Sequence, residues 1–426
     1  MSRISWISVT ALYFPIAFTV TIGLLRHRQP RMFPACLLGA LWVAASLPLV
    51  ELLNASARWW SFAPGGAVFC GMPLELYFGW IVWWGILPQI ALDSLAIGWA
   101  VALLAAVDVI LMPHLFGPLF SLRPVWLGGE GAAVLMVLVP ALCIARWTAA
   151  NSHLRARAGL QVVIAGMLFL YLVPELVFAL RPGRGWTPLA EMPGWQRQLG
   201  LQALAILALP GVGAVMEFAE RGLGTPIPYD PPVRLVSSGI YRYCANPMQL
   251  SCALVMLGWA GMVNNGWLLL PALAAIVYSA GIAEWDESQD LERRFGAEWR
   301  QYRAEVRNWL PRWRPYHAGS EAQLYIAATC GPCSELRAWL EARKPVGMAM
   351  VDAETLAAGS IRRLRYDAGD GSGAVEGVRA LGRALEHLNL GWTIAGIALR
   401  LPIVWQSVQL LMDASGLGPR ELRQAL

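Results

Sequence analysis

Apolar residues fill the first 281 positions in blocks of about 18 or more, each separated by a short polar join. Such blocks begin near Ile7, Phe33, Leu74, Leu95, Gly131, Leu160, Leu199, Leu250 and Trp267. A block of that length in helical form crosses the roughly 30 Å hydrocarbon layer of a bilayer, so the pattern predicts an all-α polytopic membrane bundle of about nine transmembrane helices. The pattern changes twice. Between Glu220 and Leu250 the chain reads "RGLGTPIPYDPPVRLVSSGIYRYCANPMQL", where Pro226, Pro228, Pro231 and Pro232 forbid a helix and Gly239 permits a turn before Tyr241. After Tyr278, Leu291, Phe295, Trp299, Tyr302, Val306 and Trp309 recur every three or four residues among Arg293, Arg294, Arg300 and Arg303. That spacing predicts an amphipathic helix lying at a membrane surface.

Beyond Pro315 the hydropathy falls, and the elements expected are those of a soluble α/β unit. Ala322 to Ala328 reads as a strand, Cys330-Gly-Pro-Cys333 as a turn, and Leu336, Trp339 and Leu340 as the apolar face of a helix. The segments expected are thus residues 1–155, an N-terminal bundle with no assigned role, 156–316, a second membrane domain, and 317–426, the α/β unit.

Composition supports the membrane reading: 57% of the 426 residues are hydrophobic and 14% charged. The net charge of +5 is carried by arginine, with Lys344 the only lysine, and no basic stripe of the kind nucleic acid requires is present. The arginines sit beside the apolar blocks. Arg26, Arg28 and Arg31 follow the first block, which lacks a small-residue cleavage site and so reads as a retained helix. Assigning the arginine-rich joins to the cytoplasm puts the N-terminus outside and the C-terminal unit in the cytoplasm, as expected for a bacterial inner-membrane protein.

The densest polar chemistry is "YRYCANPMQ", residues 241–249, at the mouth of a membrane helix. Glu284 and Glu287 fall on one face of the following amphipathic helix, at the end adjoining the membrane. Two carboxylates opposite Tyr241, Arg242 and Asn246 suit a zwitterionic ligand. The same residues also fit a plain reading, in which the glutamates complement a helix dipole and Tyr241 and Arg242 anchor the interface.

Taken together, the loop and the helix resemble the isoprenylcysteine carboxyl methyltransferase and phospholipid methyltransferase superfamily of membrane enzymes. Gly239, Tyr241, Arg242, Asn246, Pro247, Glu287, Leu291, Phe295, Gly296 and Tyr302 match its motifs. The resemblance covers roughly residues 160–316 and implies S-adenosyl-L-methionine held between loop and helix by Tyr241, Arg242, Asn246, Pro247 and Glu287. It also implies a membrane lipid or other lipophilic acceptor, with Glu284 the candidate base where the acceptor must lose a proton. Ala245, Gln249 and Ser288 stand where the superfamily has Arg, Tyr and a second Glu.

A cysteine at a helix N-terminus has its thiolate favoured by the dipole and the backbone amides, so Cys330 and Cys333 are candidates for a redox pair. Zinc is the competing use of such a pair, but no second Cys or His pair stands at ligand spacing. The segment resembles the thioredoxin-like fold, and its tail the DCC family of predicted thiol-disulfide oxidoreductases, through Gly371, Gly377, Ala380, Leu381, Leu385, Trp392 and Pro402. That resemblance implies a thiol-redox partner. Two functions follow: a membrane methyltransferase with an appended thiol-disulfide module, or a membrane-anchored thiol-disulfide oxidoreductase whose methyltransferase region is vestigial. In the first bundle, Asp108 and, at the sixth block, Glu175 are intramembrane carboxylates and candidates for function.

Overall fold

Three prolines shape the first helices. In the computed structural model, which describes residues 3–25, 30–64, 66–181, 183–227, 229–356 and 363–419, a widened π turn precedes or abuts each of Pro88, Pro140 and Pro174, at Ile81–Ile86, Val134–Leu138 and Leu168–Leu172. Proline lacks an amide hydrogen and its ring collides with the carbonyl four residues back, so the turn before it opens while the helix continues. Arg26, Arg28 and Pro228 lie outside the described residues.

Among the described residues six helices are long and apolar enough to cross a membrane: Trp6–Leu25, Met32–Ala57, Ile97–Leu119, Trp126–Ala149, Leu154–Leu180 and Gly194–Gly222. The chain is an integral membrane protein. The expectation of nine spans is not matched. The blocks near Leu250 and Trp267 form the shorter helices Pro247–Val263 and Gly266–Gly281. At about 1.5 Å per residue such helices fall short of the hydrocarbon thickness. The block from Leu74 is helical to Ala91, with the π turn inside it, and is not one of the six.

The chain divides into two compact units, Met1–Thr187 and Pro188–Leu426. In the first, glycines let helices meet at backbone distance: a Cβ on Gly39 would stand 2.5 Å from the Gly85 carbonyl oxygen, and one on Gly79 would stand 2.4 Å from that of Ala11. Helix Met32–Ala57 ends at Arg58, in the left-handed region at φ 54°. The Asn54 side chain then accepts the amides of Trp59 and Trp60 at 2.8 and 3.1 Å. That turn launches strand Trp60–Phe62, which pairs antiparallel with Phe120–Leu122.

In the second unit, helix Gly194–Gly222 leads into the proline-rich loop, a 3-10 turn at Gly239–Arg242, helix Pro247–Val263 and the surface helix Glu284–Glu305. A four-stranded sheet follows. Its central strand Ala322–Ile326 runs parallel to Met348–Asp352 on one side and antiparallel to Arg365–Asp367 on the other, with Val375–Glu376 at the far edge. Helix Gly331–Glu341 makes the crossover that parallel strands require. Leu324, Leu340, Met348, Tyr366, Ala380, Ala384 and Leu385 form the core between sheet and helices. Ile397, from the C-terminal helices, packs with Ala214, Val236, Ile240 and Tyr241, so the sheet-bearing segment and the membrane helix share a core.

Candidate functional site

The loop around Tyr241 is fixed from below by a glycine and a buried charge. Gly239 has φ +57°, and a Cβ there would stand 2.6 Å from Glu217 Cγ. Glu217, near the end of helix Gly194–Gly222, is 1% exposed and accepts from Ser238 Oγ at 2.7 Å. Arg383 and Arg400 both donate to it, Arg400 Nη2 at 2.8 Å. The two arginines also hold Glu386, and Arg383 Nη2 reaches Glu220 at 2.8 Å. Burial weakens the hold of Arg383 on its proton, but Glu217, Glu386 and Glu220 outweigh that and keep the guanidinium well above its ordinary range. Sequence reading missed this cluster. A glutamate inside an apolar helix and arginines on the buried faces of Val378–Leu385 and Leu390–Arg400 were its signal.

The surface helix clamps the loop from above because it breaks at Gly296, whose φ 52°, ψ −116° only glycine adopts readily. Past the break, Tyr302 donates its hydroxyl to the Tyr241 carbonyl at 2.8 Å and packs with Val306 and Tyr316. The Ala245 and Asn246 amides donate to the Arg307 and Asn308 carbonyls at 2.9 and 3.3 Å, and those of Arg312 and Tyr316 donate to the Tyr243 and Arg242 carbonyls, each at 2.9 Å. Cys244 Sγ donates to the Asn308 carbonyl at 2.8 Å, and burial pushes its thiol up to about 11. It is an inert thiol at neutral pH.

The predicted residues are partly assembled by this clamp. Tyr241 is buried against Phe218, and burial, followed by the fields of Glu217 and Glu287, raises its phenol well above the ordinary value. Glu287 is exposed. Glu284 instead pairs with Arg303 at 3.5 Å, from beyond the break. Arg242 carries a buried Nη1 that makes no hydrogen bond. Its charge is felt by His317 and His387: burial first, then Arg242, lowers both, His387 well below its ordinary value. Asn246 precedes helix Pro247–Val263, with Pro247 in its first turn, where the missing amide costs nothing.

Cys330 is the N-cap of helix Gly331–Glu341, and both it and Cys333 are half-buried. Glu354, which sequence reading overlooked, accepts the amides of Ala328 and Thr329, each at 3.1 Å, and the Thr329 hydroxyl at 2.9 Å. Slight burial opposes its ionisation, but these hydrogen bonds hold its carboxyl down at about 2.

Spans, buried charges and a clamped polar loop define an integral membrane protein with a built site at the end of helix Gly194–Gly222. Residues 216–298 match the family model for phospholipid methyltransferase, which supports a membrane methyltransferase. No curated protein and no solved structure matches the chain.

Proposed function

We propose that the protein is an S-adenosyl-L-methionine-dependent methyltransferase acting on a lipophilic acceptor, a membrane lipid or another small molecule. The supporting observation is that the family match covers residues 216–298, a stretch that holds Glu217, the Tyr241 loop and Glu287. Residues 156–316 carry this activity, 1–155 form an N-terminal bundle with no assigned role and 317–426 form the appended module.

The donor set fits the cofactor. Arg242 Nη1 is a buried donor in need of an acceptor, which the cofactor's carboxylate supplies, and the Glu287 carboxylate is an acceptor for its ammonium group. Tyr241, Asn246 and Pro247 fix the loop between them. When bound, the cofactor supplies a methyl group on a cationic sulfur, open to direct displacement. The chain's task is then to align the acceptor and exclude water. Where the acceptor must lose a proton, Glu284, which pairs with Arg303 at 3.5 Å, is the group to take it. Calorimetric titration of the detergent-purified protein with S-adenosylhomocysteine tests the reading. Micromolar-range binding that Glu287→Ala and Arg242→Ala lose supports it, and no binding by folded wild type overturns it.

A second activity is proposed for the appended module. A central strand with a parallel neighbour on one side and an antiparallel neighbour on the other, the latter paired in turn with an antiparallel edge strand and followed by a helix, supports a thioredoxin-like fold. With Cys330 at a helix N-terminus, it supports disulfide exchange between Cys330/Cys333 and a redox partner. Cys330→Ser should abolish that exchange while cofactor binding persists. If it abolishes all function and loop variants abolish none, the protein is a membrane-anchored oxidoreductase.

A further inference from the structure

The first unit encloses a cavity of about 70 Å³, walled by helices and by the ribbon that Trp60–Phe62 forms with Phe120–Leu122. It is lined mainly by apolar and aromatic side chains, including Trp60, Trp84 and Trp126, yet three carboxylates, Glu51, Asp108 and Glu130, open onto it. None of the described residues lining it is basic. Asp108 is 5% exposed, with Oδ2 accepting from Trp84 Nε1 at 2.6 Å and Oδ1 making no hydrogen bond. Glu130 Oε1 is likewise buried and unpaired. Glu51 accepts from Trp60 Nε1 and Asn54 Nδ2, each at 3.0 Å.

Ionised carboxylates without donors are costly to bury, and a positive group placed among three of them in one cavity stabilises their charged form. A bare metal ion does not fit, since among the described residues no three acidic, His or Cys side chains stand close enough to share one. A larger cation whose charge is spread over carbon-bearing substituents can reach separated carboxylates and lie on indole faces at the same time. The space exceeds the about 10–15 Å³ that a single water needs.

We infer that this cavity binds an organic ammonium group, recognised by Asp108 and Glu130 and by the surrounding indoles. The inference is independent of the cofactor reading, since no residue of the Tyr241 loop takes part. The group is either a free amine or the headgroup of an ammonium-bearing lipid.

The test is calorimetric titration of the full chain in phosphatidylglycerol nanodiscs with choline and with its uncharged isostere 3,3-dimethylbutan-1-ol. Saturable choline binding, absent for the isostere and weakened about tenfold or more by Asp108→Asn, is expected from loss of a charge-assisted contact. Glu130, less buried, gives a second variant, Glu130→Gln, should Asp108→Asn fail to fold. Doping the nanodiscs with phosphatidylethanolamine separates the sources: a weakened choline titration identifies a lipid headgroup, an unchanged one a free amine. Absence of saturable binding, equal binding of the isostere, or unchanged choline affinity in both folded variants overturns the proposal.

Discussion

Replacing Arg383 by methionine should unbalance the buried charge cluster at the end of helix Gly194–Gly222. The inner cluster holds two cations, Arg383 and Arg400, against two anions, Glu217 and Glu386, with side chains no more than 4% exposed. Glu220, 20% exposed, has a second partner in Arg379 at 3.6 Å. Arg383→Met leaves two buried carboxylates facing Arg400 alone. Breaking a buried ion network from one side costs about 3–5 kcal/mol, and the low end applies because Arg400 touches both anions. For a unit of this size that low end is a fall of roughly 6–12 °C in Tm. The double variant Glu217→Gln/Arg383→Met restores one cation against one anion, so its loss should be smaller than the sum of the two single losses by more than about 1 kcal/mol. Cys244, 1% exposed inside the clamped loop, supplies the readout: its reaction with a thiol-specific dye during heating, with the other cysteines replaced, reports opening of this region. A shift below about 1 kcal/mol for Arg383→Met, or strict additivity in the double variant, would refute the argument that this cluster holds the loop and the C-terminal helices together.

Gly239→Ala should destabilise the same region by about 1–2 kcal/mol, because its φ is left-handed and the new methyl meets Glu217; unchanged thermal reactivity of Cys244 would show that the turn relaxes freely. Glu354 has its carboxyl held at about 2 against an ordinary 4.5, so its contribution to stability is complete above pH 4.5 and is lost as pH falls toward 2. Glu354→Gln should flatten that part of the acid-unfolding profile of the Cys330 segment, and an identical profile in both proteins would remove Glu354 from its support.

Much of this was legible locally. Apolar blocks set the membrane helices, because burying about twenty apolar residues in lipid needs no partner elsewhere in the chain. The four prolines of the loop, the glycine before Tyr241 and the three-and-four spacing after Tyr278 fixed a turn and a surface helix through backbone sterics and side-chain period alone. Length limits were less visible: the blocks near Leu250 and Trp267 read as spans, but Asn264, in the left-handed region at φ 52°, ends the first helix after 17 residues. What sequence could not supply was any pairing across distance. Glu217 and Arg383 are 166 positions apart, Glu284 meets Arg303 only because Gly296 turns the helix back, and Arg242 follows Tyr241 yet bears on His317 and His387. Asp108 and Glu130 likewise became cavity walls only when separate helices met. Local propensity acts within a few residues, whereas these charges are placed by packing. Only the tertiary structure decides which of them end up buried together.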